Sequence, residues 1–133
     1  MYLLDSCTIS YFMKGEVSVA NKIKETSPAV VYTSTITQME ITYGLIRKFN
    51  NSHRYFDFFK DFISAITVLA FDENAALEAA EIKKNLEKKG TPIGAYDILI
   101  AGVAKSSDLV LVTSNIKEFK KIDDLNIENW RDK

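Results

Sequence analysis

Tyr2-Leu3-Leu4 is a short apolar run that stops at Asp5, and Ile9, Phe12 and Met13 follow at helical spacing. That pattern predicts a strand, a turn and a helix. Residues 17–26 read as a second helical piece that Ser27-Pro28 ends, and residues 29–33 as a buried, β-branched strand. Thr35 stands three positions before Gln38, and Thr37 three before Glu40; either pair fits a capping box that opens a helix. This helix carries Ile36, Met39, Tyr43 and Ile46 on one side and fades at Asn50-Asn51-Ser52. Another, over residues 54–64, places Tyr55, Phe56, Phe59, Phe62 and Ile63 at i, i+3, i+4 spacing.

Residues 66–71 form the next expected strand, and Asp72 is suited to cap the helix after it. Ala75, Ala76, Ala79, Ile82 and Leu86 make the apolar stripe of that helix, and Gly90 ends it. The loop Thr91-Pro92-Ile93-Gly94 delivers Asp97 to the start of a further helix whose Leu99, Ile100, Val103 and Ala104 face inward. Residues 109–112 are uninterruptedly apolar, as in a parallel strand covered on both faces. A short helix over 116–121 and a strand over 127–130 complete the pattern. Strands alternating with helices predict an α/β domain on a mostly parallel sheet. Ligands bind such sheets beyond the carboxyl ends of the strands.

The chain of 133 residues is one domain's length, so 1–133 is read as a single unit. Seventeen basic and eighteen acidic residues leave a net charge of −1. Coating nucleic acid through bulk charge is therefore excluded, and a polyanionic substrate requires a local patch or a metal. One cysteine, Cys7, excludes an intrachain disulfide and a multi-cysteine zinc site. No apolar stretch approaches the roughly 18 residues of a membrane span. A cytoplasmic chain without a membrane partner is the expectation.

Asp5 falls at the end of the first strand, Glu40 in the first turns of the helix after the second, and Asp97 at a helix start. Asn115 follows the strand over 109–112, with Glu118 one turn further on. Oxygen-bearing side chains from distant positions thus meet at one sheet edge. Singly, an acid at a strand end or helix start is more often a cap or turn residue. Together, unneutralised carboxylates repel one another, and hard oxygen ligands suit Mg²⁺ or Mn²⁺. Such an ion opens phosphodiester hydrolysis. Other chemistries fit less well. The single histidine, His53, sits in a polar junction, which disfavours a Ser-His-Asp triad. No phosphate-binding glycine loop is present. Cys7 stands where an aspartyl-nucleophile phosphatase carries its second Asp. The aromatic run around Tyr55 to Phe62 fits core or interface better than base stacking, and Phe58 falls off its stripe.

Met1-Tyr-Leu-Leu-Asp5-Ser-Cys-Thr-Ile-Ser-Tyr-Phe-Met-Lys-Gly15 resembles the opening of VapC toxins, the PIN-domain ribonucleases of type II toxin–antitoxin pairs. Ser34-Thr-Ile-Thr-Gln-Met-Glu40-Ile-Thr-Tyr-Gly44 resembles their second motif and Gly90-Thr-Pro-Ile-Gly-Ala-Tyr-Asp97-Ile-Leu-Ile-Ala101 their third. Leu111-Val-Thr-Ser-Asn115-Ile-Lys-Glu-Phe119 is similar to their fourth. The resemblance implies a three-layer α/β/α PIN domain and a Mg²⁺-dependent endoribonuclease, with Mn²⁺ able to substitute and tRNA a plausible substrate. Asp5 and Asp97 are then the principal metal ligands, Glu40 completes the acidic cluster, and Asn115 lies where many relatives have Asp. Glu118 is the implied substitute for that acid, and Glu40 or Glu118 handles the water. Partners implied are RNA, a VapB-type antitoxin, a second copy in a homodimer, and DNA indirectly through the antitoxin. Lys105, Lys117, Lys120, Lys121 and Arg131 are candidate rim cations. The departures Cys7 and Asn115 leave two alternatives: a catalytically silent PIN-like binding module, or a Mg²⁺-dependent DNA nuclease.

Overall fold

The computed structural model describes residues 1–49 and 53–131. The polar junction at 50–52, where the third helix was expected to fade, lies outside the described residues. Strand β1 (Tyr2–Leu4) leads directly into α1 (Ser6–Met13), then α2 (Val17–Glu25). After a 3₁₀ turn at Pro28–Val30 come β2 (Val31–Ser34), α3 (Thr35–Phe49), α4 (His53–Ala65) and β3 (Thr67–Leu69). The remainder is α5 (Glu73–Lys89), α6 (Ala95–Ser106), β4 (Val110–Val112), α7 (Ile116–Phe119) and β5 (Ile127–Glu128).

The five strands are parallel in the order β3-β2-β1-β4-β5. Leu3 pairs with Leu111 and Leu4 with Val112 in register. Because side chains alternate across a strand, Leu3 and Leu111 join one core, with Ile82, Leu86, Ile100, Val103 and Phe119. Leu4 and Val112 join the other, with Ile9, Ile41, Leu45, Phe59 and Trp130. The sheet is thus covered on both faces, giving the three-layer α/β/α architecture. From β1 the chain winds outward through β2 and β3, then crosses back to β4 on the other side of β1. The crevice between the carboxyl ends of β1 and β4 is the topological switch point.

Several local readings hold. Asp72 Oδ1 accepts the Ala75 amide at 2.9 Å and caps α5, and Gly90 ends that helix in the left-handed region at φ 70°. Others are corrected. Neither threonine pair forms a capping box: Ser34 Oγ accepts the Thr37 amide at 3.1 Å, so the cap lies one residue earlier. On α3 the buried side is Thr37, Ile41 and Leu45, while Met39, Tyr43 and Ile46 are exposed. Ala76 is exposed beside its buried neighbours Ala75 and Ala79. Residues 29 and 30 belong to the 3₁₀ turn, and the last strand stops at Glu128. Trp130 leaves the sheet for the core, its ring edge-on to Tyr2 at 5.2 Å, while its indole N–H donates to Glu128 Oε1 at 2.9 Å.

Helices α5 and α6 approach closely at Gly102. A Cβ there would lie 2.7 Å from Ala75 O and 2.9 Å from Ala79 Cβ. Glycine is the side chain this contact admits, and it anchors the helix whose first turn carries Asp97.

Candidate active site

Asp5 is the residue at which β1 becomes α1. Its amide donates to Val112 O at 3.1 Å, tying it to β4 across the switch point. Its Oδ1 accepts the Thr8 amide at 2.9 Å, which caps α1. Thr8 in turn donates its hydroxyl to Val112 O at 3.0 Å. Asp5 is therefore both a structural cap and a carboxylate only 3% exposed. Burial pushes its pKa up, and hydrogen bonds from the Thr113 hydroxyl and from Thr8 partly offset this.

Glu40 enters from the second turn of α3. Burial raises its pKa, the negative charges of Asp97 and Asp5 raise it further, and a hydrogen bond from the Ser6 side chain acts the other way. Its Oε1 is closed off from solvent and accepts no hydrogen bond. Asp97 lies in the first turn of α6 and is also held above the usual carboxylate range, first by burial and then by Asp5 and Glu118. Three carboxylates from three separate elements therefore sense one another at the switch point. Cys7 records the same field: burial, then Asp5, Asp97 and Glu40, push its thiol up to about 11 against a small opposing effect of Lys14. It is therefore a neutral thiol at neutral pH.

Asn115 stands just past β4 at the head of α7, and its side chain makes no capping hydrogen bond; Thr113 Oγ1 accepts its backbone N–H at 2.9 Å. Glu118, a turn later, is ion-paired to Lys121 at 3.1 Å while still raising the pKa of Asp97. The expected acids are thus brought to one place, and Glu118 already has a cation.

The expected basic rim is mostly committed elsewhere. Lys105 lies at the far end of α6 from Asp97, 4.0 Å from Glu78 and donating to Asp123 O at 3.2 Å. Arg131 bonds the Tyr11 hydroxyl at 2.9 Å, stacks 4.0 Å over that ring and lies 3.6 Å from Glu16. Lys121 serves Glu118, whereas Lys117 and Lys120 are exposed. Missed in the sequence were Thr8 and Thr113, hydroxyls that hold the Asp5 carboxylate. The signal for Thr8 was its place three residues after a capping Asp.

Among the described residues, no three acidic, histidine or cysteine side chains close into a ready-made metal cage. The donor set nonetheless suits a hard cation. It is all oxygen, its carboxylates are destabilised as anions by burial and, at Glu40 and Asp97, also by neighbouring negative charge, and the buried Glu40 Oε1 has no donor. Mg²⁺ commonly uses one or two carboxylates and keeps several waters.

Comparison with known proteins agrees with this geometry. The PIN domain family model matches residues 2–125. The chain is 36% identical to the tRNA(fMet)-specific endonuclease VapC of Salmonella typhimurium, covering 97% of both chains. It is 32% identical to ribonuclease VapC2 of Haemophilus influenzae, again over 97% of each. In three dimensions it superimposes on the toxin-antitoxin structure VapBC2 of Rickettsia felis, bound to a promoter DNA fragment, with a TM-score of 0.89. That match is 30% identical and covers 97% of this chain and 98% of the other. DNA-bound VapBC from Salmonella typhimurium gives the same TM-score at 35% identity, over 97% of each chain. Among the described residues no helix is long and apolar enough to cross a membrane. The chain belongs to the PIN-domain family, among its VapC ribonucleases.

Proposed function

We propose that this ribonuclease depends on Mg²⁺, with Mn²⁺ able to replace it, and that it hydrolyses RNA, tRNA included, by attack of water on phosphorus. The observation that carries the reading is the meeting of Asp5, Glu40 and Asp97, all destabilised as anions, around the unpartnered Glu40 Oε1. Asp5 and Asp97 are the principal ligands of the ion and Glu40 the third, with the Asn115 side chain beside them. When bound, the ion supplies Lewis-acid activation of water and neutralises charge developing on the phosphoryl oxygens.

The chain's own groups do the rest. Thr8 and Thr113 fix the Asp5 carboxylate, and the close α5–α6 contact fixes the helix of Asp97. Glu40 or Glu118 orients the attacking water and accepts its proton. The new P–O bond forms as the bond to the 3′ oxygen breaks, leaving a 5′-phosphate and a 3′-hydroxyl. A cyclic phosphate would instead require the 2′-hydroxyl as nucleophile.

We also assign it a VapB-type antitoxin, by likeness to relatives solved as VapBC assemblies. Through that partner it associates indirectly with DNA, and its place of action is the cytoplasm, where tRNA is. Exposed apolar side chains support these contacts: Phe58 on α4 for the antitoxin, and Met39, Tyr43 and Ile46 on α3 for a homodimer. The deciding experiment incubates end-labelled tRNA with the purified chain. Cleavage with Mg²⁺, none with EDTA, and 5′-phosphate termini are expected. Full activity in EDTA, or products ending in a cyclic phosphate, would overturn the mechanism.

A further inference from the structure

A groove of about 560 Å³ leaves the acid crevice at Glu40 and runs between the end of α1, the facing side of α3 and the start of α4. Its size is that of a small-ligand site. Lys14, Arg47, Lys48 and Arg54 line it, all exposed, and Glu40 is the one acid among the lining residues. None of the four cations makes an ion pair among the described residues. Arg47 lies 5.5 Å over the Tyr43 ring and Arg54 5.8 Å over the Tyr55 ring, so each guanidinium rests against its own helix. Lys14 joins the two regions: it lines the groove and also the adjoining hollow around Cys7 and Glu40.

Gly44 is a second, independent observation. It sits inside α3, where glycine is a poor helix former, yet a Cβ there would meet nothing within 4 Å. No packing contact requires it. Its missing side chain leaves the wall of the groove open.

We propose that this groove seats the sugar-phosphate backbone of the RNA strand on one side of the scissile bond, with Lys14, Arg47, Lys48 and Arg54 as phosphate ligands and Gly44 keeping the path clear. This rests on the ribonuclease reading above. The need is physical. With a net charge of −1 and three carboxylates at the reaction centre, the chain has no bulk attraction for a polyanion. A local basic track beside the acids supplies it. Four cations without an ion pair among the described residues suit a polyanion, and RNA is the polyanion the adjoining acids are proposed to cut.

The test reads binding apart from cleavage: fluorescence anisotropy of a labelled oligouridylate, with EDTA present, across a salt series. Combined Lys14→Gln and Arg54→Gln should weaken binding about tenfold at 0.1 M salt and flatten the log–log salt slope by about 0.7 per lost phosphate contact. Gly44→Leu should weaken binding with the slope kept and the melting temperature equal or higher, which separates blockage from misfolding. In cleavage assays the basic variants should raise KM and leave kcat nearly unchanged. Lys83→Gln, on the exposed side of α5, should do neither. Unchanged RNA affinity in both sets, in a wild type that cuts RNA, overturns the groove assignment alone. Loss of antitoxin binding with RNA binding intact assigns the groove to the protein partner and equally overturns it. A wild type that neither binds nor cuts RNA removes the ribonuclease reading, and this proposal with it.

Discussion

At its first turn α6 carries Asp97, whose pKa is raised by burial and then by other carboxylates, whereas further along the same helix Gly102 closes on α5 until an added Cβ would reach Ala75 O at 2.7 Å. One end is electrostatically unfavourable, and the other is packed without slack. The crevice around Asp5, Glu40 and Asp97 lowers the stability of the apo fold, while Ile100, Ala101, Val103 and Ala104, each at most 1% exposed, hold it in place. A site that concentrates like charge stays assembled because the layer behind it cannot relax. Activity and stability should therefore respond in opposite directions at the two places.

The largest expected effect is at the acids. Asp5→Asn keeps an amide oxygen able to cap α1 but removes the charge. Cleavage should fall on the order of 10²–10³-fold, while stability without metal should rise by about 0.5–2 kcal/mol. The pH dependence has a definite sign. Asp5, Glu40 and Asp97 are all shifted above their ordinary 3.8, 4.5 and 3.8. Each binds its proton more tightly when folded. Stability so gained is complete below the ordinary values and lost as pH rises through the raised ones. In EDTA, denaturant unfolding should show the protein more stable near pH 5 than near pH 7, and Asp5→Asn should narrow that difference. A wild type that loses stability on the same descent would contradict the view of an electrostatically loaded site.

Next comes the opposite pole. Gly102→Ala forces α5 and α6 apart, and overpacking of this kind costs about 1–3 kcal/mol. Urea unfolding should show the loss. Activity per folded molecule should drop only as far as Asp97 is displaced. Equal stability of the variant would mean that the helices part freely and that the layer does not confine the site.

How much of this was legible in the sequence depended on whether one segment carried the whole signal. Asp5 directly behind Leu3-Leu4, Asp72 before a helix and Gly90 after it each announce their geometry within a few residues, and each holds. The buried face of α3 did not show, because Thr37 occupies an inward position and its hydroxyl is satisfied locally by Ser34. Counting apolar residues therefore selected Met39, Tyr43 and Ile46, the face that is exposed. Lys105 was one of the cations expected at the rim, yet it lies at the end of α6 remote from Asp97, tied to Glu78 and Asp123. The basic groove did not show in the sequence because its cations come from α1, α3 and α4 and meet only in space.

A smaller effect sharpens the comparison inside the crevice. Glu118 is held by Lys121 at 3.1 Å, whereas the Asn115 side chain makes no capping bond. If the glutamate acts on the water, Glu118→Gln should reduce kcat about tenfold or more, and Asn115→Ala less, since an amide is the weaker ligand. The reverse ranking in single-turnover cleavage would give the role to Asn115. Lys121→Met separates position from charge: it should lower kcat only where the ion pair aims Glu118.

The smallest effect on the fold is expected at Phe58, which belongs to neither pole. Its ring lies 5.4 Å from that of Phe12, which packs in turn on Phe62 at 4.9 Å, but it is 44% exposed. Phe58→Ser removes a partly buried ring and should cost about 1 kcal/mol. Cleavage should be unchanged, because the ring packs on Phe12 and supplies no ligand or proton acceptor to the crevice. Antitoxin affinity, measured by calorimetry, should fall at least tenfold if an apolar segment of the partner covers the ring. Light scattering distinguishes the other occupant. A monomeric Phe58→Ser protein that still binds its antitoxin tightly, where the wild type is a dimer, would assign the surface to the homodimer and leave the antitoxin to be placed elsewhere.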